Sequence, residues 1–467
     1  MLEFNKKSNT LEQTDYEYSL QDVADPHLYR LLYPYDDVPK IPFNHRHVPM
    51  RPADEFVISD TTFRDGQQAR APYTVEQIVH LFKFLHELGG PNGIIRQAEF
   101  FLYSQRDRQA VEACRALGYR FPEITGWIRA THQDFVLAKE MGVEETGILS
   151  SCSDYHIFKK LHMTRKQAMD QFLGVVKDAL AVGIKPRVHL EDITRADFYG
   201  FVVPLAHALG RLSQESGIPI KIRACDTLGL GLSYPGVAMP RSVPGLSYGL
   251  WHYARFKSEL LEWHGHNDFY KAVANAGTAW LYGIGAVNCT LLGIGERTGN
   301  TPTEAMVFEY AALRGTWDGM QPKVVTEVAR YYERDLGYVV PPMTPLVGAD
   351  FNTTRAGIHA DGLLKDPEVY CAFDTQKLLN RPIRVAVSQS SGAAGMLLWI
   401  HEYYGLRAAS GLDKRDRRLT PVLEWIDDEY RDGRVTSLGD LELDDALQRL
   451  SPGLHAQLTG APVPIAQ

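Results

Sequence analysis

The sequence predicts an α/β protein: a (β/α)8 TIM barrel with an N-terminal arm and a mainly helical C-terminal extension. Three observations predict this fold. Eight short apolar runs alternate with amphipathic segments of helical period. The runs recur roughly every thirty residues, as expected for repeated βαβ units. Together they occupy roughly 270 residues, which suits a closed barrel of eight units better than an open sheet.

The barrel prediction depends on eight strand candidates and the helical segments between them. An open, doubly wound sheet is the alternative, but it would more naturally carry a Gly-rich phosphate turn after its first strand, and the sequence has none there. The helical segments include VEQIVHLFKFLHEL, SQRDRQAVEACRAL, RKQAMDQFLGVVKDAL and ADFYGFVVPLAHALGRLSQE. The strand candidates cover residues 56–62, 93–100, 122–128, 145–151, 185–191, 220–227, 261–267 and 286–293.

The sequences on either side of the predicted barrel differ from it in composition and periodicity. Residues 1–50 are rich in Tyr, Pro and Asp without sustained periodicity, which predicts an extended arm before a barrel over 51–320. Residues 321–380 read as an irregular, Pro-rich connector, and residues 381–467 as a helical subdomain. The predicted helices of that subdomain lie within 386–405, 419–433 and 441–451.

Composition and charge argue against several classes of function. A net charge of -8 and a pI near 6.1 disfavour a nucleic-acid partner, which needs a concentrated basic surface. The five cysteines form no CxxC pair and are odd in number, which predicts reduced thiols in a cytoplasmic protein. The N-terminus lacks the apolar core of a signal peptide, and no run of about 18 apolar residues predicts a membrane span.

The strongest chemical signal is the run HGHND at the end of the seventh strand candidate. Alternate residues of a strand point to one face, so the imidazoles of His264 and His266 can converge on one point. The carboxyl ends of barrel strands are where active sites form, and imidazole is a common ligand of transition metals. The pattern therefore favours a metal site over the alternative of two surface histidines.

A second signal, DTTFRDGQQ, ends the first strand candidate. In a closed eight-stranded barrel only the eighth strand separates the first from the seventh, so Asp65 can supply an oxygen ligand beside the two imidazoles. Arg64 then lies near the metal as a fixed positive charge, or else forms a structural salt bridge. The run GIGERTGN after the eighth strand places Asn300 beside the same point, as a possible amide ligand.

Charged residues on the inner strands complete the predicted barrel mouth. Arg187, His189 and Glu191 share one face of the fifth strand and suit a carboxylated substrate. The alternative is an ion pair between Arg187 and Glu191 that lines the barrel. Glu99, late in the second strand, has the same two interpretations, and Thr227 ends the sixth strand.

Four ordered motifs, DTTFRDGQQ, HGHND, LLGIGERTGN and AGIHADGLLKDPEVY, resemble the signatures of the DRE-TIM metallolyases. This family includes isopropylmalate, homocitrate and citramalate synthases, Re-type citrate synthases and hydroxymethylglutaryl-CoA lyases. The resemblance spans about residues 56 to 375. The sequence around HGHND is most similar to that of Re-type citrate synthases.

The resemblance implies roles for individual residues. It implies a divalent metal ion held by Asp65, His264, His266 and Asn300, with Mn²⁺ favoured and Co²⁺, Mg²⁺ or Zn²⁺ as alternatives. Arg64 matches the arginine that faces the reacting carbonyl. His359 and Tyr370 match a catalytic pair that reaches into the barrel of the neighbouring subunit, which implies a homodimer with shared active sites.

The resemblance also implies substrate contacts. Gln68 matches the glutamine of the first motif, whereas Glu99 is a candidate substrate contact from its strand position alone. Arg187, His189, Glu191 and Thr227 match the keto-acid contacts of homocitrate synthases, in a pattern that resembles RxSxE. The family serine is a histidine here, which puts the homocitrate substrate in doubt.

The implied reaction is a metal-dependent Claisen condensation of acetyl-CoA with a 2-oxo acid, most similar to the oxaloacetate reaction that gives citrate. The base is His359 with Tyr370, or else Glu191. Arg187 is the expected cation for the second carboxylate of oxaloacetate. Alternatives are a synthase acting on another 2-oxo acid, a hydroxyacyl-CoA lyase and a metal-dependent hydrolase, and we expect neither a nucleic-acid nor a membrane partner.

Overall fold

The computed structural model describes residues 2–6, 8–13, 16–406 and 409–460. The predicted arm and the predicted helical subdomain therefore each contain positions outside the described residues. The chain divides into two compact units, Met1–Gln321 and Pro322–Gln467. Among the described residues, no helix has the length and apolar character that crossing a lipid bilayer requires.

The first unit contains a closed barrel of eight parallel strands, so the predicted fold class is confirmed. Each strand begins within two residues of its predicted start, because the apolar runs are buried between the barrel interior and the outer helices. In chain order the strands are β1 Val57–Asp60, β2 Ile95–Phe101, β3 Glu123–Trp127, β4 Glu145–Ser151, β5 Lys185–Glu191, β6 Lys221–Asp226, β7 Leu261–Gly265 and β8 Ala286–Cys289.

Closure of the barrel brings the motif-bearing strands together. β8 lies between β7 and β1, with Asn288 opposite His264 and Cys289 opposite Asp60. The polar residues that end β1 and β7 therefore meet at the carboxyl edge of the barrel, because all eight strands run in the same direction. This register positions the candidate site.

Helices cover the outside of the barrel. Several begin at Ser or Thr residues whose side chains cap the first turn; Thr74, Ser104 and Thr164 each form a capping box. The helices of this unit are Asp65–Gln68, Val75–Gly89, Gln105–Arg115, His132–Glu140, Asp154–Lys159, Arg165–Val182, Val203–Ser216, Val243–His252, Ala272–Leu281 and Thr303–Arg314. Short 3-10 turns lie at Ile193–Arg195, Ser258–Leu260 and Leu291–Gly293.

One predicted helix differs at its start. The segment from Ala196 reads as one helix, but its first turn is a π-helix, Phe198–Val202, before the α-helix Val203–Ser216. Pro204 has no N–H group to bond back to the preceding turn, and the Asp197 side chain accepts from Gly200 N instead. The wider π-helical turn accommodates both the missing N–H group of Pro204 and the side-chain hydrogen bond of Asp197.

The N-terminal segment is more ordered than a plain extended arm. It opens with an antiparallel hairpin, Leu2–Asn5 with Thr10–Gln13. Further along, Phe43 forms a bridge with Val237, and Ala238 N donates to Pro42 O at 2.9 Å. Hydrogen bonds to the barrel loops therefore hold the later part of the segment.

The second unit is mainly helical. Its core contains Met396, Ile400, Val422, Leu443 and Leu454, contributed by successive helices. A two-stranded parallel pair joins Thr353–Thr354 to Arg384–Val385. The helices are Val324–Arg334, Gly357–Lys365, Thr375–Leu379, Gly392–Tyr403, Thr420–Arg431, Asp440–Leu450 and Pro452–Thr459, with 3-10 turns at Pro367–Val369 and Arg417–Leu419.

Candidate active site

The two histidines of the HGHND run meet an aspartate at the carboxyl end of the barrel. His264 lies near the end of β7, His266 follows it, and Asp65 opens the short helix after β1. Nε2 of His264 lies 3.2 Å from Nε2 of His266, and these atoms lie 3.7 and 3.8 Å from Asp65 Oδ2. All three side chains are buried.

Burial and mutual contact set the protonation of this cluster. Burial, reinforced by His266, lowers the pKa of His264 to about 3, and burial also lowers the pKa of His266. Burial opposes ionisation of Asp65, but Arg64 and the two imidazoles together lower its pKa to about 2. At neutral pH the cluster therefore presents neutral imidazoles and an ionised carboxylate, the forms that bind a metal ion.

Neighbouring amides complete the arrangement. Asn288 Oδ1 lies 2.8 Å from His264 Nδ1, so that nitrogen carries the proton and Nε2 keeps its lone pair. Asn300 Nδ2 donates to Asp65 Oδ2 at 2.6 Å, whereas Asn300 Oδ1 is buried and accepts no hydrogen bond among the described residues. A half-turn of this amide would direct its oxygen at the cluster.

These residues fit a divalent cation. The ligand atoms of Asp65, His264 and His266 all lie within 4.8 Å of one another. Ligand bonds of about 2.0–2.2 Å at tetrahedral or octahedral angles place donor atoms about 3–4 Å apart. The unpaired oxygen of Asn300 is a further acceptor that a cation would engage.

Arg64 lies directly against this cluster. Its Nη1 is 3.0 Å from Asp65 Oδ1, and its Nε is 3.2 Å from Glu99 Oε2. Its guanidinium carbon lies 4.0 Å from the centre of the Trp127 ring. The arginine thus combines the two predicted roles, since it forms salt bridges and also lies beside the proposed metal ligands.

Glu99 is the centre of an ion-pair network inside the barrel. It is 1% exposed and accepts hydrogen bonds from Arg187 and, at 3.1 Å, from Arg223 Nη1. Arg223 Nε also donates to Glu262 at 2.6 Å, and Arg187 Nη1 donates to Glu145 at 2.7 Å. Burial opposes ionisation of Glu99, but its arginine neighbours hold its pKa well below the usual range.

One expectation about Arg187 needs correction, because the predicted pair with Glu191 does not form. The Arg187 side chain is fully buried, and carboxylates of Glu99 and Glu145 contact its terminal nitrogens. Its contact with a substrate carboxylate stays a prediction. The general interpretation of Arg187 as a barrel-lining cation is the one that the geometry favours.

His189 is buried beside this network. Its Nε2 lies 3.4 Å from Arg187 Nε and 3.7 Å from Glu99 Oε1, and its ring centre is 4.7 Å from that of Trp127. Burial, with the nearby positive charge of Arg223 and Arg187, lowers its pKa well below the usual value. His189 is therefore a neutral ring among charged groups.

Glu191 has different partners. It lies 2.9 Å from His156 Nδ1 and 3.0 Å from Lys160 Nζ, and the Ser151 hydroxyl donates to it. Burial opposes its ionisation, but His156, Ser151 and Lys160 lower the pKa of Glu191 to about 2. Glu191 is thus an ionised, firmly held carboxylate on the β5 edge.

The two remaining barrel residues follow strands of the barrel: Gln68 ends the short helix Asp65–Gln68 after β1, and Thr227 lies in the turn after β6. Thr227 Oγ1 accepts from Asp192 N at 2.8 Å and so joins the turns after β5 and β6. Gln68 is exposed, whereas its neighbour Gln67 is buried and accepts from Tyr73 N at 3.0 Å. Of the two glutamines, Gln68 is the one that solvent reaches, and its substrate contact stays a prediction.

His359 and Tyr370 lie together in the second unit. Their ring centres are 4.6 Å apart at the edge of a cavity of about 600 Å³. Gly362, one turn after His359, makes room for the tyrosine: a Cβ at this position would lie 2.5 Å from Tyr370 Cε2. Both rings are exposed, Tyr370 to 49%.

Several residues of the site do not follow from the motifs. Asn288, Trp127 and His156 each contact a predicted site residue from another strand or helix. Arg223 and Glu262 are fully or almost fully buried charged residues in the middle of barrel strands. A charged residue that alternates with apolar residues inside a predicted strand is the sequence signal that could have identified them.

A family model described as HMGL-like matches residues 55–330, a range that contains all eight barrel strands. A protein named Citrate (Re)-synthase from Clostridium kluyveri is 54% identical over 442 residues, 95% of this chain and 98% of that protein. One of the same name from Syntrophus aciditrophicus is 53% identical, over 94% of this chain and 70% of that protein. A 2-phosphinomethylmalate synthase from Streptomyces hygroscopicus is 37% identical, over 92% and 98%.

Proposed function

This chain belongs to the HMGL-like (DRE-TIM) family, and we propose that it is an acyltransferase that condenses acetyl-CoA with oxaloacetate. A C–C bond forms between the acetyl methyl carbon and the keto carbon, and water cleaves the thioester to release citrate and CoA. Attack on the Re face follows the names of the relatives at 54% and 53% identity. The observation that carries the proposal is the buried cluster of Asp65, His264 and His266 beside Arg64.

Asp65, His264, His266 and Asn300 are the residues that would hold the divalent ion, with Mn²⁺ as the preferred metal. When bound, the ion supplies Lewis acidity toward the keto group of the acceptor. Asn288 keeps His264 in the required tautomer. The proposal is supported by neutral imidazoles and an ionised carboxylate in one buried site.

Arg64 stabilises the negative charge that develops on the acetyl oxygen when the methyl proton leaves. Asp65 and Glu99 form salt bridges with Nη1 and Nε of its guanidinium, which lies beside the candidate metal ligands at the carboxyl end of the barrel. A buried cation of this kind stabilises a developing oxyanion much more than water does. The salt bridges of Arg64 thus serve to hold it in place.

We assign the base that removes the methyl proton to His359, with Tyr370 beside it. Glu191 was the alternative, but a carboxylate with a pKa of about 2 is a weak base at neutral pH. Its ties to His156 and Lys160 also hold it away from a proton-transfer role. Glu191, with His189, Gln68 and Thr227, is then a candidate for shaping the acceptor pocket, and Glu99 and Arg187 support that pocket through their ion pairs.

The acceptor is tested by measuring thiol release from acetyl-CoA with oxaloacetate, 2-oxoglutarate, pyruvate and 2-oxoisovalerate. We expect oxaloacetate to give the highest kcat/KM, because the relatives at more than half identity carry the citrate synthase name. Labelled acetyl-CoA and stereospecific cleavage of the citrate then report the face of attack. Another 2-oxo acid in first place would reject oxaloacetate, and no thiol release with any of them would reject the synthase.

We further propose a cytoplasmic homodimer in which His359 and Tyr370 act on the barrel of the partner. The catalytic pair is flanked by exposed apolar side chains, Ile358 at 74% and Val369 at 56%, which a protein surface would cover. All five cysteines are unpaired, as in a reducing compartment.

Mixing two inactive variants tests the shared site. Asp65→Ala lacks the metal ligand but keeps His359, and His359→Ala keeps the metal ligands. If the pair acts in trans, random re-association of a two-fold dimer restores about a quarter of the wild-type activity, because half of the dimers contain one complete site out of two. Mixing each variant with itself is the control, and a mixture without activity would mean that the pair acts in its own chain.

A further inference from the structure

We propose that Trp127 is a positioning residue for Arg64: its indole face fixes the plane of the guanidinium and so directs the cation at the reacting oxygen. This inference rests on the proposed function. Trp127 ends β3, at the same edge of the barrel as the metal ligands, and no motif contains it. The guanidinium carbon of Arg64 lies 4.0 Å from the centre of the Trp127 ring, well within the range of cation–π attraction.

Arg64 contacts two carboxylates and the face of one aromatic ring. Its Nη1 lies 3.0 Å from Asp65 and its Nε lies 3.2 Å from Glu99, but Nε forms no hydrogen bond with the described residues, so these two carboxylates leave the orientation of the planar group incompletely fixed. A flat aromatic ring against the guanidinium restricts that orientation. Only Trp127 supplies such a face among the cation–π contacts that the described residues make with Arg64.

The indole is itself seated by the barrel. Its ring packs against His189, with centres 4.7 Å apart, and lies over Gly147 of the neighbouring strand. A Cβ at Gly147 would lie 2.5 Å from Trp127 Cε3 and 2.9 Å from His189 Nε2. The glycine therefore leaves the space that both rings fill. Gly147, Trp127 and Arg64 pack one against the next, and we call these three residues the stack.

The stack explains why a large aromatic residue lies at the end of an inner strand. The energy of a cation–π contact depends on the ring face, so a residue of similar bulk without a face cannot replace it. Because Arg64 acts on charge that develops during the reaction, its misalignment lowers kcat more than it weakens substrate binding. An indole that only filled space would not produce that pattern.

The test compares Trp127→Phe, which keeps a ring face, with Trp127→Leu, which does not. We expect Trp127→Leu to lower kcat about 10-fold with little change in the KM for acetyl-CoA, and Trp127→Phe to recover most of the loss. Trp251→Leu is the matched control, because Trp251 also stacks on an arginine, Arg51 at 3.5 Å, away from the motif-bearing strand ends. We expect it to leave kcat unchanged.

A second measurement does not depend on turnover. Phenylglyoxal labels arginines, and peptide mapping by mass spectrometry reports labelling of Arg64, which is 8% exposed. We expect about 10-fold faster labelling of Arg64 in Trp127→Leu than in the wild type, with Trp127→Phe close to the wild type.

Equal kcat values and equal labelling rates for the Phe and Leu variants would overturn the inference. If the wild type releases no thiol with any 2-oxo acid, the proposed function fails, and the labelling rates still decide whether Trp127 positions Arg64. Thermal unfolding of each variant identifies a loss of kcat that comes from misfolding. If Trp127→Leu misfolds, Gly147→Ala replaces it, because this variant displaces the indole without removing it. We expect Gly147→Ala to lower kcat and to speed the labelling of Arg64 as Trp127→Leu would.

Discussion

A His264→Ala variant is expected to lose its bound divalent metal and at least about 1,000-fold in kcat, since Lewis-acid stabilisation is worth several kcal/mol. The loss should be this large because His264 supplies one of three side chains that converge within 4.8 Å. Without His264, only Asp65, His266 and the weaker amide donor of Asn300 remain to hold the cation. Metal content by elemental analysis and thiol release under saturating substrate measure the two effects.

Two further variants make this test specific. Asn288→Ala keeps all ligands but removes the acceptor at 2.8 Å that fixes the His264 tautomer, so metal affinity should fall about 10- to 100-fold, an intermediate result. His132→Ala removes an exposed histidine at the start of a surface helix and should change nothing. If His264→Ala retained both metal and turnover, the metal-site assignment would be rejected.

An Arg223→Leu variant is expected to destabilise the barrel by about 3–5 kcal/mol, the usual result of breaking one side of a buried ion pair. Arg223 is fully buried and neutralises Glu99 at 3.1 Å and Glu262 at 2.6 Å. Burial opposes ionisation of Glu262, but Arg223 and Arg187 lower its pKa to about 2, so its charge persists in the folded protein. Chemical denaturation followed at neutral pH measures the loss.

The double variant Arg223→Leu with Glu262→Gln separates charge from packing. If the uncompensated carboxylate causes the damage, removing its charge should recover part of the lost stability. Arg449→Leu, which breaks an exposed pair with Asp445, should have little effect. A loss in Arg223→Leu no larger than that of Arg449→Leu would mean that the network does not stabilise the barrel.

Local patterns in the sequence were sufficient to predict the barrel and the positions of its candidate metal ligands. Strand and helix periods follow from the geometry of each element, so eight alternating runs predicted eight βα units. Once a closed barrel is predicted, β8 has to lie between β7 and β1, and Asp65 has to lie near His264 and His266. The roles of the site residues stay proposals, but their meeting follows from the topology.

Elements that depend on other parts of the chain were harder to predict. The helix Pro452–Thr459 and the hairpin at Leu2–Asn5 do not follow from the patterns, because a short element is marginal until it packs against neighbours or pairs with a second strand. The helix Val324–Arg334 within the predicted irregular connector does have buried residues at helical spacing, so the prediction of an irregular segment was wrong there. The predicted helix within 386–405 begins only at Gly392, and the Ser391 hydroxyl just before it donates to Arg355 O.

Only the tertiary structure decided the partners of the charged side chains. Arg187 shares a strand face with Glu191, yet its partners are Glu99 and Glu145 from other strands. Contacts such as Trp127 with Arg64 join residues far apart in sequence, and barrel closure and strand stagger set them. The sequence by itself determined where the candidate site residues lie along the chain and which strands they follow, because these properties are local. Which charge neutralises which depends on distances across the barrel, and those exist only after it closes.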